Sequence, residues 1–240
     1  MIEIHQFAPG WGLNASPFCL NVEVYCQLAG LPYQTRSTLP FKGPRGKLPF
    51  ITDGAQRVPD SGNILTYLKK TYGDPLDGKL SEAESACGHF LRRTCEESLY
   101  FALVYSRWVD DNFWPETRDA FFATVPTAAR RLVAGMARKG VRKSLVGQGY
   151  GRHPAEEVYA AGIADINAIA WQLSQHRYAV GDAVTSFDAT VYALLFNIAR
   201  APVETPLRHA ASRNDSILAY LGRVDEILEG KGGSMASKPC

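Results

Sequence analysis

Lys47-Leu48-Pro49-Phe50-Ile51-Thr52-Asp53-Gly54-Ala55-Gln56-Arg57-Val58-Pro59-Asp60-Ser61 is the stretch whose reading decides the fold. Leu48 to Thr52 reads as one strand and Gln56 to Val58 as the next, with Asp53-Gly54 as a hairpin turn signal between them. Asp60-Ser61 then starts a helix that carries Ile64, Leu65 and Leu68. The stretch is therefore a strand–strand–helix unit closed by a helix cap.

Upstream, Ile2 to Phe7 predicts a first strand. Ala8 to Ala15 is a loop with Pro9, Gly10, Gly12 and Asn14. Ser16-Pro17 signals a helix start, Ser as the cap and Pro at the first helical position. Leu20, Val24 and Leu28 give that helix one apolar face, and Gly30 stops it. Tyr33 to Thr38 is a second strand, so strand–helix–strand implies a right-handed parallel crossover. The N-terminal part, residues 1–74, is thus βαβ followed by ββα.

Downstream, Gly73 to Lys79 is a linker, and everything after it reads as helical. Ser81 to Asp111 is a long periodic stretch, and Ala155 to His176 is amphipathic through Tyr159, Ile163, Ile166, Ala170 and Leu173. Thr185-Ser186-Phe187-Asp188 is a capping-box pattern with Asp in the Glu/Gln place, ahead of an apolar helix from Phe187 to Ala199. One further helix is predicted from about Pro206 to Leu228. The helical domain spans residues 80–229, and the polar, Gly-rich residues 230–240 are expected to be a disordered tail.

Bulk properties narrow the function. The 240 residues are 46% hydrophobic and 21% charged, enough apolar content for a sizeable core. A net charge of +2, with no basic run interleaved with aromatics, gives no reason to expect a nucleic-acid partner. The basic run Arg138 to Lys143 reads as a solvated helix end. The sequence begins with strand-like Met1-Ile2-Glu3-Ile4 and shows neither a signal peptide nor a transmembrane stretch, so a cytoplasmic location is expected. Cysteines at 19, 26, 87, 95 and 240 form no C-x-x-C pair and share no ligand spacing with histidine. Free thiols in a reducing compartment, and no metal site, are the expectation.

The motifs, in this order and spacing, resemble the glutathione transferase superfamily over nearly the whole chain. Ser16-Pro17-Phe18-Cys19 falls at that family's catalytic Ser or Cys, Lys47-Leu48-Pro49-Phe50 at its K-x-P segment, Asp60-Ser61 at its acidic-Ser pair, and Gly181 to Asp188 at its G-x-x-x-[ST]-x-x-D signature. The resemblance implies an α/β thioredoxin-like N-terminal domain, an all-α C-terminal domain, a cis Pro49 and a homodimer. A narrower resemblance, carried by Trp11-Gly12-Leu13, Gly43 to Pro49 and Glu96-Glu97-Ser98-Leu99-Tyr100, points to the metaxin-like and failed-axon-connections-like branch. That branch holds bacterial transferase-like proteins and eukaryotic members with little known catalysis.

Two functions follow from the resemblance. The first is conjugation of glutathione, as co-substrate, to a hydrophobic electrophile; the second is a non-catalytic binding or protein-interaction module. In the first, Ser16 is the catalytic residue. A free thiol titrates near ~8.5, and a helix N-terminus plus a hydroxyl favours its anion. Without the resemblance, Ser16 reads as a simple cap. Asn14 is a competing donor in the same loop, and Cys19, one turn further in, reads as a small apolar residue. The resemblance assigns the glutathione backbone to Lys47, Leu48 and Pro49, and its γ-glutamyl end to Asp60 and Ser61, where capping and binding are compatible. Trp11, Tyr105 and Trp108 are the candidates for a second-substrate site, although Tyr105 and Trp108 at i, i+3 equally suit a core or a subunit interface. A thiol oxidoreductase would need an exposed Cys where this chain has Ser16.

The family places a glutathione-gripping helix between the second and third strands. Here Leu39 to Lys47, with Pro40, Gly43, Pro44 and Gly46, leave room for a loop or one turn only. Lys42, Arg45 and Lys47 remain as cations that could meet a carboxylate.

Overall fold

The computed structural model describes residues 1–231, so the expected tail lies almost wholly outside the described residues. The first part is built from β1 (Ile2–Gln6), α1 (Pro17–Leu28), β2 (Tyr33–Ser37), β3 (Phe50–Asp53), β4 (Gln56–Pro59) and α2 (Ser61–Tyr72). The four strands lie in the order β2-β1-β3-β4. β1 runs parallel to β2 and antiparallel to β3, and β3 runs antiparallel to β4. The alternation of β1 buries Ile2 and Ile4, and Ile4 pairs with Thr35 on one side and Ile51 on the other. Leu20, Val24 and Leu28 of α1 join Ile64, Leu65 and Leu68 of α2 in the same core.

Two boundaries differ from the sequence reading. β3 starts at Phe50 rather than Leu48, because Pro49 has no N–H for the ladder. In the hairpin, Asp53 pairs with Gln56, so the two-residue turn is Gly54-Ala55, with Gly54 at a φ of +58°. The Leu48–Pro49 peptide is cis. The connection from β2 to β3 holds only a single 3-10 turn, Pro40–Lys42.

The helical part contains α3 (Glu82–Thr94) and α4 (Tyr100–Trp108), joined by a π-helical stretch at Cys95–Leu99. It continues with α5 (Trp114–Phe121), α6 (Thr127–Gln148), α7 (Ala155–Gln175), α8 (Ser186–Ala199), α9 (Pro206–Ser212) and α10 (Asp215–Gly230). The single helix expected over Pro206 to Leu228 is two. The chain breaks at Arg213, and the Asn214 side chain caps α10 by accepting from Ile217 N at 3.2 Å.

α8 is buried along its whole length and packs against α1, where Asn21 Nδ2 donates to Thr190 Oγ1 at 3.1 Å. Its start is fixed by Asp188, fully buried, which accepts from Thr185 N, Thr185 Oγ1 and Ala179 N at 2.8 Å each and from Tyr220 OH at 3.0 Å. Gly88 lets α3 approach this point: a Cβ there would lie 2.2 Å from the Phe187 ring. The linker ties in through Asp77, which accepts from Ser186 N at 2.8 Å and pairs with Lys69. α1 is therefore held from behind by the helical part, and that sets its N-terminus.

Candidate active site

The loop before α1 is shaped by a tight turn. Gly10 and Leu13 exchange backbone hydrogen bonds at 3.0 and 2.9 Å, and both central residues, Trp11 and Gly12, have positive φ (54° and 74°). A non-glycine residue in that region is uncommon, and here the turn delivers the Trp11 indole to Phe121 of α5 at 4.9 Å between ring centroids. Gly10 has no room for a side chain, since a Cβ would meet the Phe121 ring at 2.7 Å.

After the turn, the Asn14 side chain points inward. Its Nδ2 donates to Gln6 Oε1 at 3.1 Å and to Glu23 Oε1 at 2.5 Å, while its Oδ1 accepts from Ser16 N at 3.3 Å. Both amide hydrogens are thus engaged beneath the loop. Burial pushes the Glu23 carboxyl up, against the opposing effect of these two amide neighbours. Ser16 caps α1 with extended backbone, and its Oγ accepts from Cys19 N at a long 3.4 Å. Pro17 supplies no N–H, so Ser16 stands half-buried at a loosely satisfied helix start.

Three segments converge here. Cys19 packs with Leu48 and Phe50, which brings the Leu48–Pro49 segment against the first turn of α1. Pro49 O accepts from Asp60 N at 3.2 Å, which ties that segment to the start of α2. Asp60 is the N-cap residue of α2, yet its side chain caps nothing, and its φ is +76°. Ser61 is buried, and Asp60 and Lys47 are exposed. Ser16, Leu48, Pro49, Asp60 and Ser61 therefore lie toward one end of the sheet, with Lys47 at its rim.

Burial pushes the Cys19 thiol up to about 12, outweighing a hydrogen bond with Ser16. Burial likewise raises Cys26, and Cys95 further. Among the described residues no group of three His, Cys, Asp or Glu side chains could hold a metal ion, and no helix is long and apolar enough to cross a membrane.

The aromatic candidates separate. Trp108 lies 5.8 Å from Phe121, the ring that also meets Trp11, and 5.5 Å from Trp114. Trp11 and Trp108 thus share one aromatic wall, extended by Phe122. Tyr105 is not part of it. It is buried edge-on against Tyr159 of α7, whose hydroxyl donates to Asp110. The wall's other members, Trp114, Phe121 and Phe122, escaped the sequence reading because their only signal was aromatic density after Asp111. Arg107 is buried behind the Ser16 loop, and its signal in the sequence is a lone cation inside the apolar run Tyr100–Trp108.

The rim loop is better braced than its glycines suggest. Arg57 Nη2 donates to Lys42 O at 3.0 Å while its guanidinium lies 4.9 Å over the Phe50 ring. Gly43 makes the turn possible, because a Cβ there would lie 2.3 Å from Lys47 O.

Comparison with known proteins agrees with this geometry. A family model described as the glutathione S-transferase N-terminal domain matches residues 17–113, and one described as the glutathione S-transferase C-terminal domain matches residues 162–224. The chain is 32% identical over 233 residues to isoprene-epoxide–glutathione S-transferase of Rhodococcus sp. (strain AD45), spanning 93% of this chain and 98% of that protein. It is 28% identical over 210 residues to Metaxin-3 of Xenopus laevis, spanning 84% and 68% respectively. Among solved structures, the theta class glutathione S-transferase of Xanthomonas axonopodis pv. citri with glutathione bound superposes with a TM-score of 0.60 at 15% identity, covering 98% of each chain.

Proposed function

The chain belongs to the glutathione S-transferase family, and from that premise we propose that it joins the sulfur of glutathione to a small, hydrophobic electrophile. The observation that carries this reading is the meeting of two loosely capped helix starts, Ser16 and Asp60–Ser61, at Leu48–Pro49. Glutathione offers a carboxylate and an ammonium at its γ-glutamyl end, a peptide backbone in the middle and a thiol. In this reading the N–H groups and hydroxyl at Ser61 take the carboxylate, Asp60 takes the ammonium, and the backbone of Leu48 pairs with the cysteinyl unit. Ser16 Oγ donates to the sulfur, and the helix start favours the thiolate. Lys47, with Lys42 and Arg45, meets the glycyl carboxylate.

The electrophile rests against the wall of Trp11, Trp108 and Phe121. An epoxide fits the chemistry, and the Rhodococcus relative carries that substrate in its name. The sulfur forms a bond to carbon as the ring C–O bond breaks, and the ring oxygen takes up a proton. The short rim between β2 and β3 lowers affinity. With no helix to hold the rim cations, binding forfeits about the worth of one well-placed charged contact, ~1.5–3 kcal/mol or about one to two decades, which puts the dissociation constant nearer millimolar than micromolar. The reading extends to a homodimer in a reducing cytoplasm, which the buried thiols suit; exposed Phe90 and Leu132 are available to a partner copy.

The second reading is a non-catalytic binding module, favoured by the likeness to Metaxin-3 and by the single 3-10 turn at the rim. A thiol-conjugation assay with an epoxide and a chloronitrobenzene, beside isothermal titration with glutathione, separates the two. Turnover with saturable glutathione binding supports the enzyme; neither binding nor turnover leaves the module.

A further inference from the structure

Arg107 is the one feature near Ser16 that simple packing does not explain. It lies on α4 with 5% of its surface exposed, and it enters no salt bridge among the described residues. Its Nη1 donates to Ala15 O at 2.7 Å, on the peptide that leads directly into Ser16. Its Nη2 donates to Asn197 O at 2.7 Å and to Asn197 Oδ1 at 3.3 Å, and Asn197 in turn donates to Asn14 O at 3.1 Å. The guanidinium also lies 5.3 Å over the Trp11 ring. Every acceptor it meets is neutral.

An ionised group buried without a counter-charge is costly, and proteins seldom retain one. The cost falls when a ligand brings the missing charge. Resting on the glutathione reading above, we propose that Arg107 is a positioning residue that holds a buried positive charge behind Ala15–Ser16 and stabilises the thiolate of the bound thiol. It touches neither sulfur nor electrophile. It acts by field through the Ala15–Ser16 peptide and by fixing the orientation of that peptide. The thiol proton leaves to solvent, and the resulting anion is the partner that the guanidinium lacks.

The other titratable groups around this corner do not supply that partner. Cys19 of α1 is pushed up by burial, and Glu23 of α1 faces the Asn14 amide and forms no ion pair or hydrogen bond with Arg107 among the described residues. Tyr100 of α4, edge-on to Phe18, is likewise raised by burial. Asp119 of α5 is already paired with Arg118 at 2.8 Å, and Asp110 accepts from Tyr159. Asn197 and Thr190 are what α8 presents toward α1, and neither ionises. Burial lowers Arg107 itself to about 10, which leaves it charged at neutral pH.

The test is a titration of the bound thiol, followed by thiolate absorbance and by the pH profile of kcat/KM in the intact protein. Wild type, Arg107→Met, Arg107→Lys and Asn197→Asp are compared. Arg107→Met should move the thiol pKa up by about one unit, about a tenfold loss of thiolate below that pKa. Arg107→Lys keeps the charge and should keep most of the thiolate even where its melting temperature falls. Asn197→Asp gives the guanidinium an internal counter-charge and should raise the thiol pKa without opening a cavity, so it stands in if Arg107→Met does not fold. A merely structural clamp would lower stability in all three variants and leave the thiol pKa where it was; that result overturns the proposal. Wild-type protein that binds glutathione without lowering its thiol pKa also overturns it, whereas wild type that binds no glutathione overturns the glutathione reading on which it rests.

Discussion

Two pairs of helix starts in this chain contrast, α3 and α8 against α1 and α2. α3 and α8 are closed by their own side chains. Ser81 Oγ accepts from Glu84 N at 3.2 Å while Glu84 accepts from Ser81 N at 2.8 Å, and inside the core the Asp188 carboxylate accepts from both Thr185 N and Thr185 Oγ1 at 2.8 Å. α1 and α2 lack that closure. At α1 the third helical residue is Cys19, where a capping box would have Glu or Gln, and Ser16 Oγ reaches its N–H only at 3.4 Å. At α2 the Asp60 side chain caps nothing and the backbone is held at positive φ. The closed starts serve folding. The starts of α5, α6 and α7 also lack a side-chain cap, so what sets α1 and α2 apart is that both adjoin Leu48–Pro49.

Removing the buried acid of a closed start should have the largest effect. Asp188→Ala leaves three donors without an acceptor and Tyr220 OH with only the backbone oxygen of residue 188 at 3.3 Å, and at about 1–3 kcal/mol for each unsatisfied buried group the loss should be roughly 3 kcal/mol or more. For a chain of this size that lowers the melting temperature by about 6–12 °C, readable by calorimetry. A change below about 1 kcal/mol would break the distinction between the two kinds of start.

Ser16→Ala should do the reverse, with little change in melting temperature and a conjugation rate about tenfold or more lower, the scale of one charge-assisted bond of ~1.5–3 kcal/mol. Steady-state kinetics beside a thermal melt reads both, and a fall in stability with an unchanged rate would make Ser16 an ordinary cap. Asp60→Gly sharpens the α2 case. Glycine adopts the observed φ of +76° freely, so the fold should gain up to about 1 kcal/mol while glutathione affinity falls. Denaturant unfolding and titration should therefore move in opposite directions. The smallest effect belongs to Ser81→Ala at the exposed box of α3, about 0.5–1 kcal/mol in stability and nothing in rate.

Much of this molecule is legible in its sequence because the signals are short-range. The Ser16-Pro17 and Thr185-to-Asp188 caps, the turn at Gly54 and the single turn allowed by Pro40, Gly43 and Pro44 each depend on residues within a few positions of one another. Propensity and capping act at that range, so the order of elements follows from the chain alone. The same range explains the miss at Arg213–Asn214, where apolar periodicity carried across a break that one Asn cap decides. Tertiary structure decided what meets what. Arg107 reaches Ala15 across 92 positions, and Trp11 joins Trp108 only because both meet Phe121, while Tyr105, three residues from Trp108, turns to the core. Those partners are chosen by how α1, α4, α5 and α8 pack, where burial and close fit outweigh any local preference. The sequence by itself therefore determined the scaffold and the Ser16 helix start, and only the packing of the helical part against it decided which charge and which aromatic wall stand beside that start.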